Sequence, residues 1–168
     1  MPVLVAPTPS VHLSYLDAQA EFHAEGRNLE IDRPALANPN RFARHIAEIR
    51  AEADGSSPRP PRYVPQTTLW YIDGDHYIGE LSIRHWLTED LRRLGGHIGY
   101  EVRPSQRRRG HATEMLRLAL PVAHEIGIDP ALVTCDDTNV ASRKVIEKNG
   151  GVPDDPIPPK LRYWVPTA

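Results

Sequence analysis

The chain has 168 residues, one cysteine and a formal net charge of −2 at pH 7. This length suits one compact domain with its own core and is too short for two ordinary domains. The balanced charge excludes a general nucleic-acid binder, which normally carries a large basic excess, and a single cysteine excludes both an internal disulfide and a multi-thiolate metal site.

The amino terminus carries no targeting signal that we can identify. Residues Met1 to Pro7 lack a basic segment, and their apolar run is too short for a signal peptide. The chain also contains no continuous apolar stretch of the length that a membrane span requires. We therefore expect a soluble cytoplasmic protein without a membrane partner.

Two helices are predicted near the amino terminus. Apolar residues recur at helical spacing from Ser14 to Glu25, and again at Phe42, Ile46 and Ile49. Residues 54–65 are then rich in proline, glycine and serine, which sustain neither a helix nor a strand. This segment is predicted to be a flexible loop.

Three strands are predicted in the middle of the chain. Residues Thr67 to Ile72 and His76 to Arg84 are rich in β-branched and aromatic side chains, and the intervening Asp73-Gly74-Asp75 is typical of a hairpin turn. A short helix is predicted from Thr88 to Leu94. The third strand is predicted from His97 to Val102, because Pro104 cannot continue its hydrogen bonding.

The last third of the chain alternates helices and strands. An apolar stripe predicts a long helix after residue 110, followed by a strand from Ala131 to Cys135, a helix from Val140 to Asn149 and a strand from Leu161 to Val165. This order predicts an α/β (α+β) fold in a single domain, residues 1–168. Its central sheet should be mixed, mostly antiparallel, and flanked by helices.

The turn Arg107-Arg108-Arg109-Gly110-His111-Ala112 joins the third strand to the long helix. A strand, a tight basic turn and a helix start together point backbone N–H groups at one spot, where the helix dipole is positive. Gly110 and Ala112 allow a ligand to approach the backbone closely. The pattern predicts an anion site, most naturally for phosphate.

A second strand-to-helix junction, from Cys135 to Gly151, lies one helix further along. Together the two junctions resemble the GNAT superfamily of acetyl-CoA-dependent N-acyltransferases. In that family an Arg/Gln-x-x-Gly-x-Gly/Ala loop holds the coenzyme A pyrophosphate, and Arg107, Gly110 and Ala112 fill its three defining positions. The resemblance covers residues 97–151, and the positions in register with the family's following helix are Asn139, Ser142, Glu147, Lys148 and Gly150.

The resemblance implies an enzyme, an N-acetyltransferase that moves an acetyl group from acetyl-CoA to a primary amine by direct attack in a ternary complex. The acceptor would be a small molecule or a protein, with no metal and no nucleic acid involved, and a homodimer would be typical of the family. Asn139 would contact the coenzyme, cap its helix, or do both. The implied coenzyme-binding residues are Val102, Arg107, Arg108, Arg109, Gly110, His111, Ala112, Asn139 and Ser142.

Acetyl transfer to an amine requires a base, because an amine of pKa about 10.4 is neutral in only about one molecule in 2,500 at pH 7. Many relatives place a carboxylate on the strand before the loop, which makes Glu101 the first candidate. Glu101 can serve only if its face of the strand borders the acceptor, and the alternative is a solvated strand glutamate. Glu80, on the preceding strand, is the rival candidate.

The general acid of the family is missing here. Relatives carry a tyrosine seven positions after the helix-capping asparagine, where this chain has Ile146. Either the thiolate leaves without a side-chain acid, or Tyr100 or Tyr163 substitutes. A catalytically degenerate coenzyme A-binding or regulatory module is therefore the alternative function, and His97 as a relay or Cys135 as a nucleophile are minor candidates.

Overall fold

The structure is a computed structural model that describes residues 1–55 and 63–168. Most of the loop predicted at residues 54–65 lies outside the described residues. The helices are α1 (His12–Ala24), α2 (Arg33–Leu36), α3 (Pro39–Ala51), α4 (His111–Ile126) and α5 (Val140–Lys148). The strands are β1 (Val3–Val5), β2 (Gln66–Asp73), β3 (His76–Arg84), β4 (Ile98–Val102), β5 (Ala131–Asp136), β6 (Val152–Ile157) and β7 (Lys160–Val165).

All seven strands belong to one sheet, in the order β1-β2-β3-β4-β5-β7-β6. Every neighbouring pair is antiparallel except β4 with β5, which run parallel. The predicted hairpin joins β2 to β3, with Gly74 in the left-handed conformation that the turn requires. The predicted mixed, mostly antiparallel sheet flanked by helices is confirmed.

Strands β4 and β5 separate soon after they meet. They are paired only at Ile98 and Val133, whereas β4 pairs with β3 along its whole length, from Ile98 to Val102. Beyond Ile98 the strand is therefore hydrogen-bonded on one side only. The sheet opens here, and backbone groups of β4 on the open side are available to a ligand.

The two faces of the sheet carry separate apolar cores. Helices α4 and α5 cover one face, where Leu81, Ile83 and Ile98 are buried with Met115 and Leu116 of α4. Helices α1, α2 and α3 cover the other face, over a core in which four of the nine buried residues are aromatic. It contains Val11, Tyr15, Ala18, Leu36, Phe42, Ile46, Trp70, Ile72 and Tyr77.

Strands β1 and β6 and helix α2 were not predicted from the sequence. Strand β6 contains Pro153 and Pro156, which are disfavoured in strands, but it lies at the edge of the sheet, where missing N–H donors are tolerated. Strand β1 and helix α2 are too short to show a periodic pattern. The helix predicted from Thr88 to Leu94 is a single π-type turn, Leu91–Gly95.

No helix within residues 1–55 and 63–168 is long and apolar enough to cross a membrane. The same residues contain no group of three or more His, Cys, Asp or Glu side chains that could hold a metal ion.

Candidate active site

The basic turn after β4 forms a row of exposed backbone donors. Arg108 and Gly110 both have positive φ, 64° and 79°, and α4 begins at the next residue, His111. No described residue accepts a hydrogen bond from the backbone N–H groups of residues 108–113. These donors lie at the positive end of a four-turn helix, an arrangement that suits an anion.

A groove of about 590 Å³ runs past these donors, bordered by the open side of β4 and the first turns of α4 and α5. Five cationic residues line its wall, namely Arg27, Arg107, Arg108, Lys144 and Lys148. Neither lysine forms an ion pair with a described residue. The groove therefore offers both backbone donors and side-chain positive charge to a bound anion.

Most of the residues implied as coenzyme contacts line this groove. The exception is Arg109, which is exposed and donates a 3.3 Å hydrogen bond to Gln106 Oε1 instead. Asn139 caps α5, because its Oδ1 accepts from the Ser142 N–H at 3.0 Å, and it lines the groove as well. The implied residues that line it are Val102, Arg107, Arg108, Gly110, His111, Ala112, Asn139 and Ser142.

The Arg107 side chain binds other parts of the protein. Its guanidinium donates to both carboxylate oxygens of Glu25, at 2.6 and 3.0 Å, and to the Val102 carbonyl at 3.2 Å. These hydrogen bonds lower the pKa of Glu25. One turn earlier on α1, Glu21 binds the buried Arg103 and the Ser105 N–H in the same way. Helix α1 thus holds the loop in place.

A second, smaller pocket of about 190 Å³ lies on the face of the sheet that α1 and α3 cover. Glu101 lines both this pocket and the groove, so the two cavities meet at its side chain. Trp70, Glu80 and Glu101 are direct cross-strand neighbours on β2, β3 and β4. The face of β4 that carries Glu101 therefore borders a cavity rather than a fully packed core.

Glu80 is the most strongly perturbed carboxyl group of this pocket. Burial, followed by the nearby charge of Glu101, raises its pKa to about 7. Its Oε2 accepts a 3.0 Å hydrogen bond from Trp70 Nε1, and no described residue donates to its Oε1. Glu80 is consequently about half ionised near neutral pH, which suits a group that takes up and releases a proton.

Glu101 has a different environment. Its Oε2 accepts from Arg27 at 3.0 Å, and its Oε1 accepts from Asn28 Nδ2 at 3.0 Å. Both donors belong to the connection between α1 and α2. Both oxygens of Glu101 are therefore engaged by side-chain donors, one of them cationic, whereas no described residue donates to Glu80 Oε1.

Tyr100 lies on the other side of β4, facing α5. Its hydroxyl is 2.7 Å from Ser142 Oγ, and both residues line the groove. Burial raises the pKa of Tyr100 to about 12, so its hydroxyl keeps its proton at neutral pH. Ile146 is fully buried in the core, and Tyr163 donates to Glu147 outside the groove.

The minor candidates lie outside both cavities. His97 is buried, its Nδ1 accepts from the Leu132 N–H, and burial lowers its pKa to about 4. Cys135 is a buried free cysteine whose pKa is raised by burial, which favours the inert thiol. Neither residue lines the groove or the pocket.

Some residues of the site gave no signal in the sequence. Glu25 and Arg27 line the groove although they follow α1, far from the two recognised junctions, and Thr113 lines it from α4. Lys148, which is in register with the family pattern, lines the groove from α5 on the same face as Lys144, four residues earlier. Glu25 and Arg27 could not have been found from the sequence, since only tertiary folding brings them to the loop.

One family model matches the greater part of the chain. The family model for the acetyltransferase (GNAT) domain matches residues 18–152. No curated protein matches the chain. Among solved structures, RimJ from Mycobacterium smegmatis, in complex with CoA-disulfide, is 17% identical with a TM-score of 0.67, over 98% of this chain and 81% of that chain.

Two further structures share the fold. The ribosomal-protein-S5-alanine acetyltransferase from Vibrio fischeri is 11% identical with a TM-score of 0.65, over 97% of this chain and 91% of that chain. The PaiA N-acetyltransferase from Thermoplasma acidophilum, in complex with coenzyme A, is 9% identical with a TM-score of 0.61, over 99% of each chain. At these identities the likeness establishes the fold and leaves the acceptor undetermined.

Proposed function

Because the chain belongs to the GNAT family of acetyltransferases and is therefore an acyltransferase, we propose that it transfers an acetyl group from acetyl-CoA to a primary amine of a small molecule or protein. One observation carries the proposal. Arg108, Gly110, His111, Ala112 and Thr113, whose N–H groups have no described acceptor, line a groove that meets a carboxylate-lined pocket at Glu101. A phosphate-bearing acyl donor and an amine acceptor would meet at this junction.

The groove fits coenzyme A in charge and in backbone chemistry. The N–H groups of residues 108–113 would hold the pyrophosphate, and Lys144 and Lys148 would meet the remaining phosphate. The open side of β4 beyond Ile98 would bond the amide groups of the pantetheine arm. Acetyl-CoA supplies the acyl group as an activated thioester.

Glu80 is the proposed general base. Its ionised carboxylate accepts the proton that the attacking amine loses as the new C–N bond forms, directly or through one water. Glu101, held by Arg27 and Asn28, is the proposed positioning group at the junction of the cavities. Burial is the main cause of the raised pKa of Glu80, and the negative charge of Glu101 adds to it.

Tyr100 is the proposed proton donor to the sulfur as the C–S bond breaks. It is protonated at neutral pH, it lines the groove, and Ser142 fixes the position of its hydroxyl. A thiol pKa of about 8.5 makes this help modest, because the thiolate is already a fair leaving group. Tyr100 would thus take the place of the helical tyrosine that Ile146 replaces.

Thermal unfolding with and without acetyl-CoA tests the coenzyme part of the proposal. At a hundred times its dissociation constant, acetyl-CoA should add about 2.7 kcal/mol of stability, which is roughly 5–10 °C for a chain of this size. An absent shift at millimolar acetyl-CoA would remove the coenzyme from the proposal. A shift without thiol release in the presence of any amine would favour the catalytically degenerate binding module.

The two exposed arginines of the turn form a matched pair of variants. Arg108→Ala should weaken acetyl-CoA binding about tenfold. Of the two arginines Arg108 is the one that lines the groove, and a charge-assisted contact is worth about 1.5 kcal/mol. Arg109→Ala removes the same charge but should change the dissociation constant less than about twofold. Calorimetric titration measures both. Equal losses would mean that only the net charge of the turn matters.

A further inference from the structure

The connection between α1 and α2 contains an uncommon backbone turn at residues 26–28, which we call the clip. Gly26 and Asn28 both have positive φ, 74° and 54°, and they flank Arg27. This left-handed conformation is costly for most side chains, although asparagine tolerates it better than most. The Asn28 carbonyl accepts a hydrogen bond from His23 Nε2 at 2.9 Å, which fixes the turn against the last turn of α1.

The clip brings two donors to one carboxylate. Arg27 and Asn28 donate to different oxygens of Glu101, each at 3.0 Å. The Arg27 guanidinium also lies over the Phe22 ring, 5.3 Å from its centre, which restrains the side chain. The Asn28 amide nitrogen also donates to Gln19 Oε1 at 3.3 Å. Each donor is thus held by a second contact, so the Glu101 carboxylate has a defined position.

The clip borders both cavities of the site. Arg27 lines the groove, Asn28 lines the pocket, and Glu101 lines both. Glu101 is also the direct cross-strand neighbour of Glu80. A positive charge in contact with Glu101 reduces the negative potential that Glu101 produces at Glu80. The clip therefore acts on Glu80 without touching it.

Several other titratable groups surround Glu80. Burial is the first cause of its raised pKa, and the negative charge of Glu101 is the second. The pKa of His45 is lowered by burial, so this side chain is neutral at pH 7. The remaining groups come from α1, β3, the α1–α2 connection and the segment after α3, and they are Tyr15, Tyr77, Glu30 and Glu52.

We propose that Arg27 and Asn28 are positioning residues of acetyl transfer, which hold the Glu101 carboxylate in place and reduce the effect of its charge on Glu80. This inference rests on the proposed function, because it assigns both residues a role in the reaction of that same site. Without the clip, the Glu101 carboxylate could turn, and its full charge would act on Glu80. The clip thus favours the ionised form of Glu80, which is the form that accepts a proton.

The ionisation of Glu80 can be observed without any substrate, through Trp70. The Trp70 indole N–H donates to Glu80 Oε2 at 3.0 Å, so its NMR shift should change when Glu80 loses its proton. The chain has three tryptophans, and the Trp70 signal is the one that stops titrating in Glu80→Gln. In the wild type its midpoint should lie near pH 7. A wild type in which no indole signal titrates between about pH 5 and 9 would overturn the inference.

Removing the charge of Arg27 should raise this midpoint. Arg27→Gln should move it upward by at least about half a pH unit, because the uncompensated Glu101 disfavours the ionised form of Glu80. Arg27→Lys keeps the charge and should lie closer to the wild type. Arg41→Gln is the matched control, because Arg41 is an exposed residue of α3 that lines neither cavity. Equal midpoints in Arg27→Gln and Arg41→Gln would overturn the inference.

Two substitutions test Asn28. Asn28→Gly keeps access to the left-handed conformation and removes the amide, whereas Asn28→Asp keeps the shape of the side chain and places a negative charge beside Glu101. Asn28→Asp should therefore raise the Trp70 midpoint more than Asn28→Gly does. Equal midpoints in the two variants would mean that Asn28 serves only the backbone turn, which would overturn its assignment as a positioning residue.

Kinetics separates this inference from the proposed function. At pH 7 and saturating substrates, Arg27→Gln should lower kcat at least about twofold, and the loss should disappear near pH 9, where Glu80 is ionised in both proteins. A loss that is equal at both pH values would indicate a merely structural role and would overturn the inference. If no amine is acetylated at all, the proposed function fails, whereas a raised Trp70 midpoint in Arg27→Gln would still support the action of Arg27 on Glu80.

Discussion

Replacing Glu80 by glutamine is expected to lower kcat by about 100-fold or more, the usual contribution of a general base. Glutamine has the same shape and can still accept the hydrogen bond from Trp70 Nε1, so the fold should be retained. Glu101→Gln should cost less than about tenfold, because Glu101 is proposed to position and not to accept the proton. The rate of thiol release at saturating amine and acetyl-CoA gives kcat for both variants.

The pH dependence of kcat gives an independent readout of the same assignment. A base works in its ionised form, so kcat of the wild type should rise with pH and level off above about 7, the pKa of Glu80. Glu80→Gln should lose this rise. Glu101→Gln removes a neighbouring negative charge that raises the pKa of Glu80, so the midpoint of the rise should move to lower pH.

The opposite pattern would identify Glu101 as the base. A large loss in Glu101→Gln, with Glu80→Gln nearly as active as the wild type, would leave Glu80 as a buried carboxyl group without a catalytic role. Coenzyme binding should be intact in both variants, because the two carboxylates accept hydrogen bonds from Trp70, Arg27 and Asn28 and from no residue of the loop. A variant that no longer binds acetyl-CoA would report a structural defect rather than chemistry.

The anion-binding half of the site could be predicted because its signals are local. A strand that stops before a basic, glycine-containing turn, and a helix that starts inside it, are all encoded within residues 97–126. The positive φ of Gly110 and the unbonded N–H groups follow from that local geometry. The predicted arginines of the turn nevertheless have different contacts in the structure. Arg107 binds Glu25, and Arg109 lies outside the groove.

The acceptor half could not be predicted in the same way. The choice between Glu80 and Glu101 depends on which hydrogen bonds each carboxylate accepts, and those come from Trp70, Arg27 and Asn28 in other elements. The face of β4 that borders a cavity depends on how α1 and α3 pack across the sheet. The periodicity of the sequence predicts neither these hydrogen-bond partners nor this packing, because both depend on contacts between residues far apart in the chain.

Thr113 provides the sharpest test of the loop, because a negative charge there should have opposite effects on the helix and on the coenzyme. Thr113 is the third residue of α4, and it lines the groove. Thr113→Asp should weaken acetyl-CoA binding about 100-fold or more, since two like charges about 5 Å apart repel by about 3 kcal/mol at an effective dielectric of about 20. Calorimetric titration and the thermal scan measure the loss.

Thr113→Asn is the matched control, because asparagine has the size of aspartate without its charge. It should weaken binding less than about fivefold. In the absence of acetyl-CoA, Thr113→Asp should unfold at a temperature no lower than Thr113→Asn. The reason is that a carboxylate in the first turn of a helix adds about 0.3–1 kcal/mol to the stability of the helix. Raising the salt concentration should partly restore coenzyme binding to Thr113→Asp. Equal affinities of the two variants would mean that no phosphate lies at the start of α4, because repulsion at that distance could not be hidden by a gain in helix stability.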